Sequence, residues 1–298
     1  MYKKIKEIIG HGGAIYTSAL DSQFIYSGSA DKYVARWLQN EGTQDNFSIK
    51  MDHSVYKLEL LNLNKHLIVG LSNGSLHIFD LELRKELKHF IQHVKPIFSI
   101  TSNLHMSQFY VGDADGNFSV WDSNTFELMI YLPLDCGKIR NICISADGTL
   151  VVLSCQDGTT RIFETVSFNE IITLDSHVGG ATIAHFHALD SAILLTAGKD
   201  ALLKVWDWKS AIEIKSIPAH NYVIYDIVFL ENGEKFGTAS RDKSIKIWNS
   251  KQFEVLQKID FKIGGHRHSV NALVKLTENS FCSVGDDKKI MIWENQEG

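Results

Sequence analysis

Cysteine is scarce in this chain. Cys136, Cys143, Cys155 and Cys282 are the whole complement, with no CxxC pair and no metal-ligand spacing among them. Three of the four fall inside or beside apolar runs, where a free Cys acts as a small hydrophobe. Long apolar runs are also missing: no stretch approaches the roughly 20 residues of a membrane span. The basic N-terminus, MYKKIKEIIG, has no apolar segment of signal-peptide length. Positive charge is not in excess either, and a net charge of -5 over 298 residues argues against general nucleic-acid binding, which calls for a basic face. These absences point to a soluble protein of a reducing compartment, the cytoplasm. No linker interrupts the chain, so residues 1–298 read as one domain.

What is abundant is self-similarity. Trp37, Phe79, Trp121, Phe163, Trp206, Trp248 and Trp293 recur at separations of 42, 42, 42, 43, 42 and 45 residues. Six residues before each stands an acid or its amide: Asp31, Asn73, Asp115, Asp157, Asp200, Asp242 and Asp287. A fixed period of this length marks an array of like supersecondary units.

Residues 220–260 show one unit. Residues 224–229 read as a short strand, and Glu231-Asn-Gly233 is turn chemistry, because Asn and Gly tolerate the positive φ of tight hairpins. A second strand over 235–240, a turn at Arg241-Asp242-Lys243, a third strand over 244–248 with period-2 alternation and a fourth over 255–259 complete it. Four short antiparallel strands per 42 residues make a propeller blade. The position three before the acid is small in six copies (Gly28, Gly70, Gly112, Ser154, Ala197 and Ala239), with Val284 the exception. The apolar runs before it suit an inner strand buried on both faces, so blades must stack to be stable.

The last Trp-bearing strand, 290–294, ends four residues before the C-terminus, which leaves its blade without an outermost strand. Residues 2–9 precede the first unit and have no blade of their own. The sequence therefore predicts an all-β, seven-bladed β-propeller of four-stranded antiparallel blades, its ring closed by residues 2–9 pairing with the last blade.

A His at the start of the unit, a Ser or small residue two before the Asp, and a Trp followed by Asp or Asn resemble the WD-repeat (WD40) family. The dipeptide stands as Trp121-Asp122 and Trp206-Asp207, with Phe79-Asp80, Trp248-Asn249 and Trp293-Glu294 as variants. His11, His53, His93, His177, His220 and His266 lead six of the seven units, and the resemblance covers essentially the whole chain. It implies a buried hydrogen-bonded chain of His, hydroxyl, Asp and Trp, in which the indole only donates and the carboxylate only accepts. Carried onto this sequence, the complete sets are His11, Ser29, Asp31, Trp37 and His220, Ser240, Asp242, Trp248. Blades three, five and seven carry Asp113, Gly198 and Gly285 at the hydroxyl position and would hold partial networks. Blade four has Asp135-Cys136-Gly137 where the His belongs and Phe163 for the Trp, and blade two has Asn73 and Phe79.

Ser, His and Asp together are also the ingredients of a nucleophilic triad. Sets that recur with a Trp closing each are structural, so no enzyme activity and no catalytic residue is expected. His185-Phe-His187 and His266-Arg-His268 have a spacing that could begin a metal site. Neither has a third ligand nearby in sequence, and no metal or cofactor is expected.

In proteins this one resembles, one rim commonly binds partners, through the residue five after the leading His and the residue before the blade acid. Five after the leading His stand Tyr16, Phe98, Thr182, Tyr225 and Asn271, and aligning the two altered loops by their strands adds Tyr56 and Arg140; the second set includes Lys199, Arg241 and Asp286. Tyr16, Tyr56 and Phe98 give an aromatic arc on blades one to three. Arg140, Lys199 and Arg241, joined by Tyr225, give a cationic one on blades four to six. Surface aromatics and Arg are the types enriched at binding hot spots. The expected function is a non-catalytic protein-interaction scaffold, a monomeric propeller within a complex, gripping a peptide or acidic loop of a partner protein, with no membrane contact. A small-ligand or enzymatic propeller using its central channel, and a structural subunit of a multiprotein assembly, are the alternatives.

Overall fold

The computed structural model describes residues 1–296, and apart from two 3-10 turns every regular element in them is a β-strand. The strands form seven four-stranded sheets, antiparallel in every pairing of known register, the fold class of a seven-bladed β-propeller. Two compact units divide the chain. One, Met1–Val55 with the part from His220 onward, holds blades one, six and seven. The other, Tyr56–Ala219, holds blades two to five.

Blade six shows how the sequence makes the element. Its strands are Ile224–Leu230, Lys235–Ser240, Ile245–Asn249 and Val255–Ile259, hydrogen-bonded in that order. The chain reverses at Glu231, Asn232 and Gly233 with φ of 49, 53 and 91°, the left-handed region that the Asn-Gly pair accepts at low cost. From Phe236 to Ser240 every residue of the second strand is buried, while the outermost strand is mostly exposed.

Stacking supplies the burial a single blade lacks. In the second unit, Ile68 and Ile78 of blade two pack with Ile97, Phe109, Val111 and Trp121 of blade three. The small residue three before the acid is explained by the same contact. A Cβ on Gly70 would lie 2.7 Å from Ile97 Cγ2, and one on Gly112 would lie 2.6 Å from Ile139 Cγ2. Ile97 and Ile139 each open the inner strand of the next blade, so close packing there admits no side chain at the glycine.

In the first unit the N-terminal strand completes blade seven. Tyr2–Ile9 runs antiparallel to Lys289–Asn295, from Tyr2 opposite Asn295 to Ile9 opposite Lys289, as the outermost strand. Tyr2 and Ile8 are buried, and Tyr2 Oη donates to Glu231 Oε1 at 2.8 Å. Lys6 Nζ donates to the Gln39 carbonyl of blade one at 3.1 Å.

Candidate interaction surface

The repeated His and acid build the scaffold that holds the surface. His11 Nδ1 lies 2.8 Å from Asp31 Oδ2, and its Nε2 lies 2.7 Å from Ser27 Oγ, onto which Trp37 Nε1 donates at 2.7 Å. Blade six repeats this with His220, Asp242, Thr238 and Trp248. The hydroxyl in the chain is thus the one four residues before the acid, which corrects the assignment of Ser29 and Ser240. Those two serve the turn instead: Ser29 Oγ accepts from Asp31 N and Ser240 Oγ from Asp242 N.

Moving the hydroxyl also corrects the reading of three blades as partial. Blade five links His177, Asp200, Thr196 and Trp206, and blade seven links His266, Asp287, Ser283 and Trp293. Blade three reaches the same end by other wiring. Its acid is Asp113, 2.8 Å from His93 Nδ1, and its hydroxyl is Ser119 on the Trp-bearing strand. His53 of blade two is exposed and stands two residues, not four, before the first inner-strand residue Val55, so it leads no such set. In blade four Cys136 and Cys155 are buried and Thr160 Oγ1 pairs with Ser176 Oγ at 2.8 Å.

Charge in these sets is fixed by hydrogen bonding. Burial alone would raise the carboxyls of Asp31, Asp113, Asp200, Asp242 and Asp287, but their His partners and neighbouring N–H groups outweigh it and hold all five below the usual range. Each hydroxyl receives an indole N–H and gives its own proton to imidazole, leaving the other imidazole N–H for the carboxylate. Ser27, Ser119, Thr196, Thr238 and Ser283 are all 0% exposed. No hydroxyl of these sets can meet a substrate.

The rim residues owe their direction to a β-bulge. In six blades the pairing of the two inner strands slips by one residue, between Ile15 and Thr17, Ile97 and Ser99, Ile139 and Asn141, Ala181 and Ile183, Ile224 and Asp226, and Val270 and Ala272. The residue left over is Tyr16, Phe98, Arg140, Thr182, Tyr225 or Asn271. A bulge bends the strand and re-aims the unpaired side chain, which is why this one position faces elsewhere than its neighbours.

In the second unit Phe98 and Arg140 form a ladder with Tyr56, the second residue of the blade-two strand Val55–Leu61. The rings of Tyr56 and Phe98 stack with centroids 5.5 Å apart and planes at 20°. The Arg140 guanidinium lies over the Phe98 ring, 4.6 Å from its centroid, and Lys138 Nζ lies 5.7 Å from it. All four residues are half-buried. Lys199, exposed in the same unit, lays its stem where a Cβ on Gly180 would be 3.4 Å away. Thr182 turns inward, donating to the Ala197 carbonyl at 3.0 Å.

In the first unit Tyr16 and Tyr225 are half-buried and Arg241 is exposed, without an ion pair among the described residues. Asn271 Nδ2 donates to Asp286 Oδ1 at 2.8 Å, so that rim pair is tied together. Sequence reasoning missed Lys138, two residues before Arg140. It also missed a polar side chain that follows three of the bulges. Ser99, Asn141 and Asp226 accept from the backbone N–H of Ile142, Ala184 and Leu273 on the next blade, at 2.9, 3.1 and 2.7 Å. A short polar residue within an apolar strand was the available signal for these three side chains, though not for the bulge before them.

The WD domain, G-beta repeat profile matches residues 133–164, 212–249 and 257–294. The U3 small nucleolar RNA-associated protein 15 homolog of Gallus gallus is 21% identical over 205 residues, which cover 66% of this chain and 38% of that protein. The nuclear distribution protein PAC1 of Candida dubliniensis is 28% identical over 170 residues, 54% of this chain and 34% of that protein. The serine-threonine kinase receptor-associated protein of Bos taurus is 25% identical over 173 residues, 55% of this chain and 47% of that protein. The chain spans less than half the length of each of these relatives. Among the described residues no helix is long and apolar enough to cross a membrane.

Proposed function

The chain is a WD-repeat protein, and we propose that it is a non-catalytic interaction module whose Tyr56, Phe98 and Arg140 grip an acidic peptide segment of a partner protein. The observation that carries this reading is the ladder itself: two stacked rings and a guanidinium on one row, from three successive blades. The guanidinium beside the Phe98 ring carries N–H donors in the fork geometry that carboxylates match. The adjoining rings offer apolar area at low entropic cost, and the pairing of aromatic with Arg is the composition of hot spots. Lys138 and Lys199 add positive charge near the row and would steer an acidic segment toward it. The scattered spacing of the four cysteines favours a reducing compartment such as the cytoplasm. Tyr16, Tyr225 and Arg241 are further candidates for partner contact.

The test is quantitative affinity capture from cells of the source organism with wild type, Tyr56→Ala/Phe98→Ala and Arg140→Glu. Partners recovered by wild type fall at least about ten-fold with either variant, the loss of a single hot spot, while melting temperatures stay close to wild type. Equal recovery by all three proteins overturns the proposal.

A further inference from the structure

Among the described residues, one group of side chains has its donor atoms close enough to converge on a metal ion after small shifts: those of His77, Glu86 and His89 lie within 4.8 Å of one another. The group is on the outer half of blade two, away from the ladder. His77 belongs to the strand Leu76–Asp80 and faces His89 directly on the outermost strand, Lys85–Phe90. Their rings stack at 4.2 Å with planes at 10°.

Glu86 precedes His89 by three residues, which on a regular strand would put the two on opposite faces. The pairing slips between Ile78 and Phe79, opposite Lys88 and Glu86, leaving Leu87 as the extra residue. That bulge restores Glu86 to the face of His77 and His89, while Leu87 and Phe90 pack against the core.

Hydrogen bonding around His77 then singles out one nitrogen. Ser75 Oγ gives its proton to Asn73 Oδ1 at 2.8 Å, so toward His77 Nε2, 3.1 Å away, it can only accept. The proton on Nε2 leaves the Nδ1 lone pair of neutral imidazole aimed at Glu86 Oε1, 2.6 Å away. A lone pair and a carboxylate at that distance need a cation between them, either a second imidazole proton or a metal ion. A ligating His that donates its other N–H to a fixed acceptor is the usual outer arrangement of a metal site.

The sibling blades show what is particular here. At the same register, blade four pairs Arg161 with Thr173, blade five Lys204 with Ser216 and blade six Lys246 with Lys258. In blade five the Lys204 ammonium pairs with Glu213 at 2.8 Å, so the carboxylate of that position is met by a permanent cation. Blade two replaces the cation with an imidazole and sets a second imidazole across from it.

We propose that His77 Nδ1, Glu86 and His89 bind a divalent ion of the zinc class, with its fourth position open to water or to a donor from another molecule. Two imidazoles and a carboxylate suit zinc, nickel and copper and disfavour magnesium and calcium. Tetrahedral bonds of about 2.0 Å set donors about 3.3 Å apart, so Glu86 moves outward by under about 1 Å and His89 closes in. Both are exposed and have room to do so.

The test uses the full chain without an affinity tag, freed of metal, titrated with zinc chloride by calorimetry at neutral pH and with cobalt(II) followed by visible absorption. Wild type takes up one equivalent and gives the intense absorption of tetrahedral cobalt. His89→Ala and Glu86→Gln each weaken uptake by at least about ten-fold, and His268→Ala, at an exposed histidine elsewhere, does not change it. No stoichiometric uptake by wild type, or unchanged uptake by His89→Ala, overturns the proposal and leaves His77 and Glu86 as an imidazolium–carboxylate pair.

Discussion

At the scale of the residue, the hydroxyl of each network is the side chain with most at stake. Thr238 Oγ1 serves two buried groups, His220 Nε2 at 2.7 Å and Trp248 Nε1 at 2.9 Å. Thr238→Val keeps the shape and leaves an indole N–H and an imidazole nitrogen buried without partners, so it should cost about 1–3 kcal/mol. Ser240→Ala removes turn contacts at the strand end and should cost less. Urea denaturation of the two variants checks the order; a larger loss from Ser240→Ala would contradict the wiring described above. The aromatic and acid marks of these networks were legible in the sequence because they recur together at even spacing. The hydroxyl was not, because Ser or Thr stands at both candidate places, Ser27 and Ser29 in blade one and Thr238 and Ser240 in blade six. Only cross-strand register decides. Ile25 sits opposite Trp37 and Ser27 next along, opposite Ala35, which brings Ser27 beneath the indole and leaves Ser29 at the turn. Blade three was illegible for a further reason: Asp113 and Ser119 reach the same points in space from different places in the chain.

At the scale of the element, strand count alone identified Tyr2–Ile9 as the outer strand of the last blade, since an unclaimed strand at one end met a deficit at the other. The structure adds what holds it: seven residue pairs with Lys289–Asn295, two buried side chains and the Tyr2–Glu231 bond. Removing residues 2–9 uncovers the backbone donors and acceptors of Lys289–Asn295, a strand whose inner residues Ile290, Met291, Ile292 and Trp293 are apolar. An uncovered apolar edge is a template for pairing with another chain. The truncated protein should melt at lower temperature and show oligomers in size-exclusion chromatography with light scattering. A monomer of unchanged melting temperature would contradict the assignment. The bulges that aim the rim were not legible. A slip of one residue leaves no mark in an alternating pattern as short as Ile224–Leu230, and it appears only once the strands are paired.

At the scale of the whole molecule, acid stability separates two kinds of electrostatics. The chain carries 35 carboxylates against 30 Lys and Arg, so acidification replaces a net charge of -5 with a large positive one. Self-repulsion of that sort is long-ranged and screened by salt. The five network carboxylates act differently. Each is held lower in the folded protein than the value of about 3.9 for Asp in an unfolded chain. Their contribution is therefore complete above about pH 4 and is lost as pH falls from there through the depressed folded values. Asp242 is the most strongly depressed, with burial working against bonds from His220, Ser244 and Asn221 that prevail. Urea midpoints of wild type should stay level from neutral pH to about 5 and fall steeply below 4, with little rescue from added salt. Asp242→Asn keeps the side-chain shape, starts from a lower midpoint at neutral pH and should fall less steeply in acid, since one of the groups that sense protons is gone. Parallel curves for the two proteins, or full rescue of wild type by salt, would assign acid unfolding to net charge rather than to the buried His–Asp pairs.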